Sequence, residues 1–424
     1  MGNRLKFISL AILVFVLAIP GARITTERGG GLATVGAQGP TFFGAQRFPA
    51  IAVDKDNKIY LLSSTATKPA GAGTPGSQIF FTMSKNGGAN WDNLPKTRNL
   101  SKSRGEAFGP SLAINKVGKT RVYITYHDNS TGITQAYLIK SKKAAKFKAA
   151  KNITPHDGGA FSPRVALGAN ESVNIVWGDT SGALRTVMFV RSTDQGETFS
   201  DPVEVARSSG DAFEPEISIG SDDAINVAWE DTRGGESAIM FSRSTDQGET
   251  FSEPKRVSTG QGRATEAHIA TDDAGNIHIV WVDASSPDAQ AFYARSTDQG
   301  ETFSEPSDVS RDPGARVLKP VVTTFGSKVY VAYQDERPGN KQVFLVRSED
   351  GGGQFSNPVQ VSRADNGVPG GRAHSPAMAV DNNGKLHIVW IDSSVVGRDE
   401  GLLFYSNSTN GRTFSTQQVI ISAI

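Results

Sequence analysis

Charged side chains occupy one repeating position in three consecutive units of the sequence. The position lies just before the residue, usually proline, that opens the first strand of each unit, and in these units it holds Glu214, Glu266 and Lys319. The other four units hold a small or neutral residue there: Phe48, Gly109, Ser162 and Ser375. Two carboxylates and an ammonium in one sector are suited to acid/base chemistry tuned by a cation, and equally to a mutually neutralising channel lining.

A second motif, aromatic-x-Asp, recurs where the second strand of a unit ends. Its six aspartates are Asp128, Asp179, Asp231, Asp283, Asp335 and Asp392. Six copies favour architecture, in which the aromatic ring plugs the strand end and the aspartate caps the loop. Two copies continue to an arginine, Arg233 and Arg337. Each guanidinium can bridge the neighbouring aspartate or bind a ligand carboxylate, and the sequence leaves both open.

These residues are positioned by a repeating unit whose clearest mark is the string RSTDQGETFS. It occurs at 191–200, 243–252 and 295–304, a spacing of 52 residues, and it joins the third strand of a unit to the fourth. The aspartate can accept hydrogen bonds from backbone N–H groups ahead of it, the glycine can take a positive φ, and the phenylalanine can pack under the turn. Three identical copies around a ring indicate a structural turn, not a catalytic site.

Each unit contains four short β-like runs separated by turn-forming residues, and seven units fill the chain after its leader. The predicted fold is therefore all-β, a β-propeller of four-stranded antiparallel blades, seven in number, with six as the alternative. The predicted propeller domain is 41–424, with blades at 48–100, 109–154, 162–206, 214–258, 266–310, 319–362 and 375–424. Strand parity places the repeated turns on one face, so the loops that differ between units form the opposite face, where a ligand site is expected.

The pattern Ser-x-Asp-x-Gly-x-Thr-Phe resembles the Asp-box, or BNR repeat, of the sialidase (neuraminidase) superfamily. It stands at 192–199, 244–251 and 296–303, closely at 348–355, and with asparagine for aspartate at 84–91 and 408–414. Arg47-Phe48-Pro49 is similar to the Arg-Ile-Pro motif of sialidases. The resemblance implies a carboxylate-binding triad of Arg47, Arg233 and Arg337. Lys319, from the charged repeating position, is a further predicted substrate-binding residue.

The sequence departs from the sialidase pattern in two ways. Sialidases have six blades and a tyrosine nucleophile, whereas this chain has seven units and no tyrosine on a candidate loop. Catalysis by two carboxylates, inverting or retaining, remains open, with Glu214, Glu266, Asp231 and Asp335 as the candidates. The predicted function is carbohydrate recognition on the face opposite the Asp-boxes, with exo-acting glycoside hydrolysis as a possible activity. The alternative is a non-catalytic scaffold for protein partners or adhesion.

Composition and the first residues indicate the expected partners and cellular location. The 44 basic and 43 acidic residues nearly cancel, which argues against nucleic acid as a partner. Arg4 and Lys6 precede the apolar run Phe7–Ile19, so 1–22 is predicted to be a signal peptide and 23–40 a disordered leader. We expect an exported monomer with no membrane insertion after cleavage, a retained anchor being the alternative. There is no cysteine, and no cofactor or metal site is predicted.

Overall fold

Short runs rich in β-branched and aromatic residues form strands, and each strand pairs antiparallel with the next one along the chain. The computed structural model describes residues 46–67, 76–92, 98–115, 118–143, 146–206, 210–232, 236–259, 263–285, 288–311, 314, 316–336, 341–363, 372–393 and 401–421. Within these residues the strands form seven sheets. The chain is a seven-bladed β-propeller, as predicted, and the six-bladed alternative is wrong.

The strands follow one another through the blades in chain order. Blades 1 to 3 contain β1 (Gln46–Val53), β2 (Ile59–Thr67), β3 (Gly76–Ser84), β4 (Arg98–Asn99), β5 (Ala107–Ile114), β6 (Val122–Asp128), β7 (Gln135–Lys143), β8 (Lys146–Phe147), β9 (Lys151–Asn152), β10 (Ala160–Leu167), β11 (Val173–Asp179), β12 (Thr186–Ser192) and β13 (Val203–Glu204). Blades 4 and 5 contain β14 (Ala212–Ile219), β15 (Ile225–Asp231), β16 (Ala238–Ser244), β17 (Lys255–Arg256), β18 (Ala264–Thr271), β19 (Ile277–Asp283), β20 (Gln290–Ser296) and β21 (Ser307–Asp308). Blades 6 and 7 contain β22 (Val317–Phe325), β23 (Lys328–Asp335), β24 (Gln342–Ser348), β25 (Val359–Gln360), β26 (Ala373–Val380), β27 (Leu386–Asp392), β28 (Leu402–Ser408) and β29 (Gln418–Ile421). A short 3-10 turn spans Ala169–Glu171.

Blade 2 departs from the four-strand pattern at its outer edge. Two short strands, β8 and β9, both pair with β7 and share the place that one outer strand fills in the other blades. This is the blade in which the sequence SKKAAKFKAA replaces the repeated string. The ring of Phe147 on β8 packs edge-on against Phe81 of blade 1 at 4.9 Å, so the contact between blades is kept although the string is lost.

Every first strand contains a β-bulge, and this feature shapes the centre of the ring. In blade 4 the register shifts between Phe213 and Glu216, so two residues of β14 stand opposite Trp229. The first residue of each bulge has a φ between 44° and 57°, in the left-handed region: Phe48, Gly109, Ser162, Glu214, Glu266, Lys319 and Ser375. Proline follows in most blades, and a bulge suits it because proline has no N–H to donate to the ladder. The strands therefore begin before the proline, not at it as the sequence predicted.

The hydrophobic core lies between neighbouring blades. One cluster joins Ala228 and Phe241 of blade 4 to Ile269, Ile279 and Trp281 of blade 5, and equivalent clusters join the other pairs. Each sheet thereby buries one face against the next, so packing between blades stabilises the ring without disulfides.

The repeated turns are fixed by the same hydrogen bonds in each copy. In blade 3 the N–H of Gly196 donates to Ser192 Oγ at 2.7 Å, Ser192 Oγ donates to Asp194 Oδ1 at 2.7 Å, and the N–H of Thr198 donates to Asp194 Oδ1 at 2.9 Å. In blade 5 the hydrogen bonds from Thr302 lower the pKa of Asp298 to about 2. Each turn is therefore a closed local network, which agrees with the structural role predicted for the string.

The turns also connect neighbouring blades. The Gly300 turn of blade 5 packs onto Phe241 of blade 4, where a Cβ on the glycine would come within 2.5 Å of the Phe241 ring. The ring of Phe303 meets the same Phe241 edge-on at 5.1 Å. Arg243 extends from blade 4 to donate to the Gln299 carbonyl at 2.6 Å. The glycine is thus required for close approach as well as for its positive φ of 85°.

Blades 1 and 7 close the ring through side chains. Among the described residues each of these blades is built from its own consecutive strands, so no strand is exchanged across this seam. Trp91 of blade 1 packs edge-on against Tyr405 of blade 7 at 5.1 Å, and its Nε1 donates to Gln418 Oε1 at 3.3 Å. Asn382 donates through Nδ2 to the Lys55 carbonyl at 2.9 Å.

Candidate functional site

The bulges of the first strands surround a central cavity of about 310 Å³. Because each blade is antiparallel, its first strand begins on the face opposite the turn that follows its third strand. The cavity therefore opens on the face away from the repeated turns, where the sequence analysis expected the variable loops to meet. We call the seven left-handed bulge residues the rim ring: Phe48, Gly109, Ser162, Glu214, Glu266, Lys319 and Ser375.

The charges of the rim ring lie in one sector, on blades 4 to 6. Lys319 Nζ lies 2.7 Å from Glu266 Oε1, and the backbone N–H of Lys319 donates to Glu266 Oε2 at 2.7 Å. Both oxygens of Glu266 are therefore held by one neighbour. Glu214, next to Glu266 in the ring, is exposed. The structure thus brings together three of the predicted site residues, Glu214, Glu266 and Lys319.

A second ring of cavity residues lies two positions further along each first strand. Its polar members are in adjacent blades, where Arg164 Nε donates to Glu216 Oε1 at 2.6 Å and His268 follows in blade 5. Burial lowers the pKa of His268, and its Nδ1 accepts a hydrogen bond from the Val322 N–H at 3.4 Å. The remaining members are small or apolar: Ala50, Ser111, Val321 and Ala377. The cavity is therefore polar on one side and apolar on the other.

Glu230 has the most perturbed carboxyl pKa near the rim. Burial, together with the negative charges of Glu214 and Glu266, raises its pKa from 4.5 to about 7. Its backbone pairs with Phe213, immediately before the bulge that carries Glu214, so Glu230 is next to the cavity although it is not among the residues that line it. Sequence reasoning missed Glu230 because it is the variable residue of an aromatic-x-Asp motif. The signal was nevertheless present, since among the six motifs only this one has a carboxylate at the middle position.

His127 lines the cavity in blade 2, at the middle position of the corresponding motif. Burial and the nearby positive charge of Arg164 lower the pKa of His127 to about 4, so the imidazole is neutral at pH 7. Its Nδ1 accepts a hydrogen bond from the Ser162 N–H at 3.3 Å. Its ring lies between Phe108 and Phe161, with centroid distances of 5.7 and 6.2 Å.

The other predicted site residues lie elsewhere or outside the described residues. Asp231 and Asp335 end second strands and have no exposed surface. Asp231 Oδ2 accepts a hydrogen bond from Trp229 Nε1 at 3.4 Å, and neither aspartate lines the cavity. The side chain of Arg47, and Arg233 and Arg337 in full, lie outside the described residues. The sialidase-like triad therefore remains a prediction, and so do the catalytic roles of the two aspartates.

Three of the other aromatic-x-Asp motifs have the capping role that the sequence predicted, and in the fourth Asp392 accepts a hydrogen bond from the Arg372 N–H at 3.2 Å. Asp128 accepts a hydrogen bond from the Ser130 N–H at 2.8 Å, Asp179 from the Ser181 N–H at 2.8 Å, and Asp283 from the Ser285 N–H at 2.9 Å. In the part of the chain that the structure describes, no group of three or more His, Asp or Glu side chains is arranged to hold a metal ion. The helices of that part include none long and apolar enough to cross a membrane.

Comparison with known proteins relates this fold to several solved structures. No family model and no curated protein matches the sequence. A protein of unknown function from Dyadobacter fermentans is similar over 86% of this chain and 94% of its own, at 15% identity and a TM-score of 0.53. A polysaccharide lyase of family PL25, an ulvan lyase, is similar over 90% of this chain and 96% of its own, at 13% identity and a TM-score of 0.54. A Hadza microbial sialidase covers 86% of this chain and 65% of its own, at 13% identity and a TM-score of 0.48.

The likeness is one of fold. At these identities the shared feature is the fold, which the PL25 lyase also has. The residues of the central cavity must therefore carry any functional conclusion for this chain.

Proposed function

We propose that this propeller is a carbohydrate-active protein whose site is the central cavity, and that it acts as an exo-acting glycoside hydrolase. The observation that carries the proposal is Glu230, whose backbone pairs with the strand segment next to rim residue Glu214 and whose pKa is raised to about 7 by burial and by the charges of Glu214 and Glu266. Glycoside hydrolysis needs one carboxylic acid that is protonated at the working pH and one carboxylate that is not.

The three glutamates have different surroundings, and this assigns them different roles in the proposal. Glu230 is the general acid that protonates the leaving-group oxygen, because its pKa lies near neutral pH. Glu214 is the second carboxylate, acting as base or nucleophile, because it is exposed at the rim. Glu266 is held at both oxygens by Lys319, so it stays in place and contributes the negative charge that raises the pKa of Glu230.

The size of the cavity and the structural neighbours support a glycan ligand. A volume of about 310 Å³ is at the lower end of the range for ligand sites and suits the end of a glycan, which is why we propose exo-action. The PL25 lyase of the same fold has been solved bound to -[GlcA(1-4)Rha3S]-. Should the ligand of this chain be an acidic sugar, Arg47, Arg233 and Arg337 are the residues proposed to bind its carboxylate.

The test is turnover of a panel of neutral and acidic oligosaccharides by the wild type, Glu230→Gln and Glu214→Gln. We expect new reducing ends from at least one glycan, and a loss of kcat of about 100-fold or more in both variants. Glu249→Gln is the matched control, since Glu249 is exposed on a repeated turn of the opposite face. An unsaturated product would indicate elimination instead of hydrolysis. No binding or turnover of any glycan would refute the proposal and favour the scaffold alternative.

Export and the monomeric state are also part of the proposal. They rest on the basic and apolar pattern of residues 1–22 and on a chain that closes its own ring. Cell fractionation and the mass of the purified protein in solution test them directly. A protein retained inside the cell, or a stable oligomer, would contradict them.

A further inference from the structure

Two exposed aromatic side chains lie on the blades that flank blade 2, Phe48 in the cavity lining and Phe161 beside it. Phe48 of the rim ring is 44% exposed and Phe161, next to rim residue Ser162, is 40% exposed. They belong to blades 1 and 3, which are the neighbours of blade 2. An exposed aromatic ring beside a ligand-sized cavity offers a flat apolar surface on which part of a ligand can stack.

Blade 2 contributes no side chain to the rim between these rings. Its rim residue is Gly109, with a φ of 57°. A Cβ at this position would lie 3.2 Å from Cε1 of His127, which is tighter than an ordinary contact. The absence of a side chain thus leaves His127 uncovered on the cavity side. We call the group of Phe48, Gly109, His127 and Phe161 the blade 2 recess; the first three line the cavity, and the Phe161 ring centroid lies 6.2 Å from that of His127.

The polar and apolar groups of the recess are held in place. Nδ1 of His127 accepts a hydrogen bond from the Ser162 N–H, so in the neutral imidazole the proton is on Nε2. The Nε2–H donor therefore points away from that bond. Nε2 has no protein partner in the described part of the chain. Phe161 packs over Gly159, where a Cβ would come within 2.7 Å of its ring. One face of the Phe161 ring is therefore fixed against backbone while the ring remains partly exposed.

We propose that the blade 2 recess is a pyranose-binding subsite, in which the apolar face of a sugar ring stacks on Phe161 and a sugar hydroxyl accepts a hydrogen bond from His127 Nε2. This rests on the proposed function, because Phe48, Gly109 and His127 line the same cavity as Glu214 and Glu266. A pyranose has a face made of C–H groups and hydroxyl groups around its edge. The C–H face matches an aromatic ring, and a hydroxyl matches the single fixed donor beside that ring. The subsite orients the sugar toward the carboxylates on the other side of the cavity.

The test is the dissociation constant of the panel oligosaccharide that the wild type binds best, measured by calorimetry. Phe161→Ala removes the stacking surface, and Gly109→Phe fills the recess. Phenylalanine occupies the same bulge position in blade 1, where Phe48 has a φ of 50°, and Gly109→Ser is a milder variant with Ser162 and Ser375 as precedents. Both variants add a Cβ 3.2 Å from His127 Cε1, so both also press on the imidazole. Phe325→Ala is the control, an exposed phenylalanine of the opposite face.

We expect Phe161→Ala and Gly109→Phe each to weaken binding at least about tenfold, with a smaller loss for Gly109→Ser and none for Phe325→Ala. Glu230→Gln should bind with wild-type affinity while losing turnover, which separates the subsite from the chemistry. Wild-type affinity in both Phe161→Ala and Gly109→Phe would overturn the subsite and leave the proposed function standing. A wild type that binds no glycan would overturn both.

Discussion

Replacing Glu230 with glutamine tests whether the environment of this carboxyl is as unfavourable for charge as its pKa indicates. A pKa raised from 4.5 to about 7 means that the folded protein binds the proton more tightly than the unfolded chain. The free energy of unfolding of the wild type should therefore fall as the pH rises from about 4.5 to about 7, and should stay lowered above that. Glu230→Gln has no such proton and should not show this loss.

The magnitude follows from the shift. About 1.36 kcal/mol per pKa unit gives roughly 3.4 kcal/mol as an upper bound for the cost of ionising Glu230 in the folded state. Glu230 is only partly buried, so screening by water reduces the expected effect to about 1–2 kcal/mol. From pH 4.5 to pH 8, the free energy of unfolding of Glu230→Gln should therefore increase by about 1–2 kcal/mol relative to that of the wild type.

The assay is urea unfolding of wild type, Glu230→Gln and the control Glu249→Gln at both pH values. The difference between wild type and variant isolates Glu230, because every other titrating group is common to both proteins. A constant difference at the two pH values would refute the assignment of Glu230 as a carboxyl held close to neutrality by burial and by Glu214 and Glu266.

Three further predictions concern activity and stability. If Glu230 is the general acid, kcat should fall as the pH rises above about 7, since the proton is then lost; a rate that increases steadily up to pH 9 would contradict this. Trp91→Ala, at the seam between blades 1 and 7, should lower the free energy of unfolding by about 2–4 kcal/mol. Phe303→Ala, at the seam between blades 4 and 5, should cause a comparable loss. An unchanged melting temperature would contradict this prediction. Burial lowers the pKa of His278, which is hydrogen-bonded to Tyr293 at 2.8 Å, so the wild type should lose stability as the pH falls below 6.5. His278→Asn, which copies Asn174 and Asn226 of blades 3 and 4, should lose less stability over that range, and equal losses in the two proteins would argue against this role.

The sequence predicted the repeating architecture well because every unit carries the same local chemistry. The string at 243–252 has a serine, an aspartate and a glycine at spacings that close one turn, and the structure has those hydrogen bonds. What the string does between blades was not predictable from one unit. The contact of Gly300 with Phe241 joins residues of different units, and local spacing carries no information about that distance.

The candidate site was predicted in part, for a similar physical reason. Glu214, Glu266 and Lys319 were identified because they break an otherwise neutral repeating position. The bulge that presents them was missed, since X-Pro is typical of a strand boundary as well as of a bulge within a strand. The raised pKa of Glu230 was not predictable, because it depends on charges from two neighbouring first strands, which only the folded ring brings together.

The most direct test of the proposed site compares two substrates with different leaving groups. Glu230→Gln should lose about 100-fold or more in kcat on a natural glycoside, whose leaving group needs protonation, and much less on an activated aryl glycoside, whose leaving group does not. That contrast would assign Glu230 as the general acid of a glycan-cleaving cavity. Equal activity of wild type and Glu230→Gln on the natural glycoside would contradict the assignment.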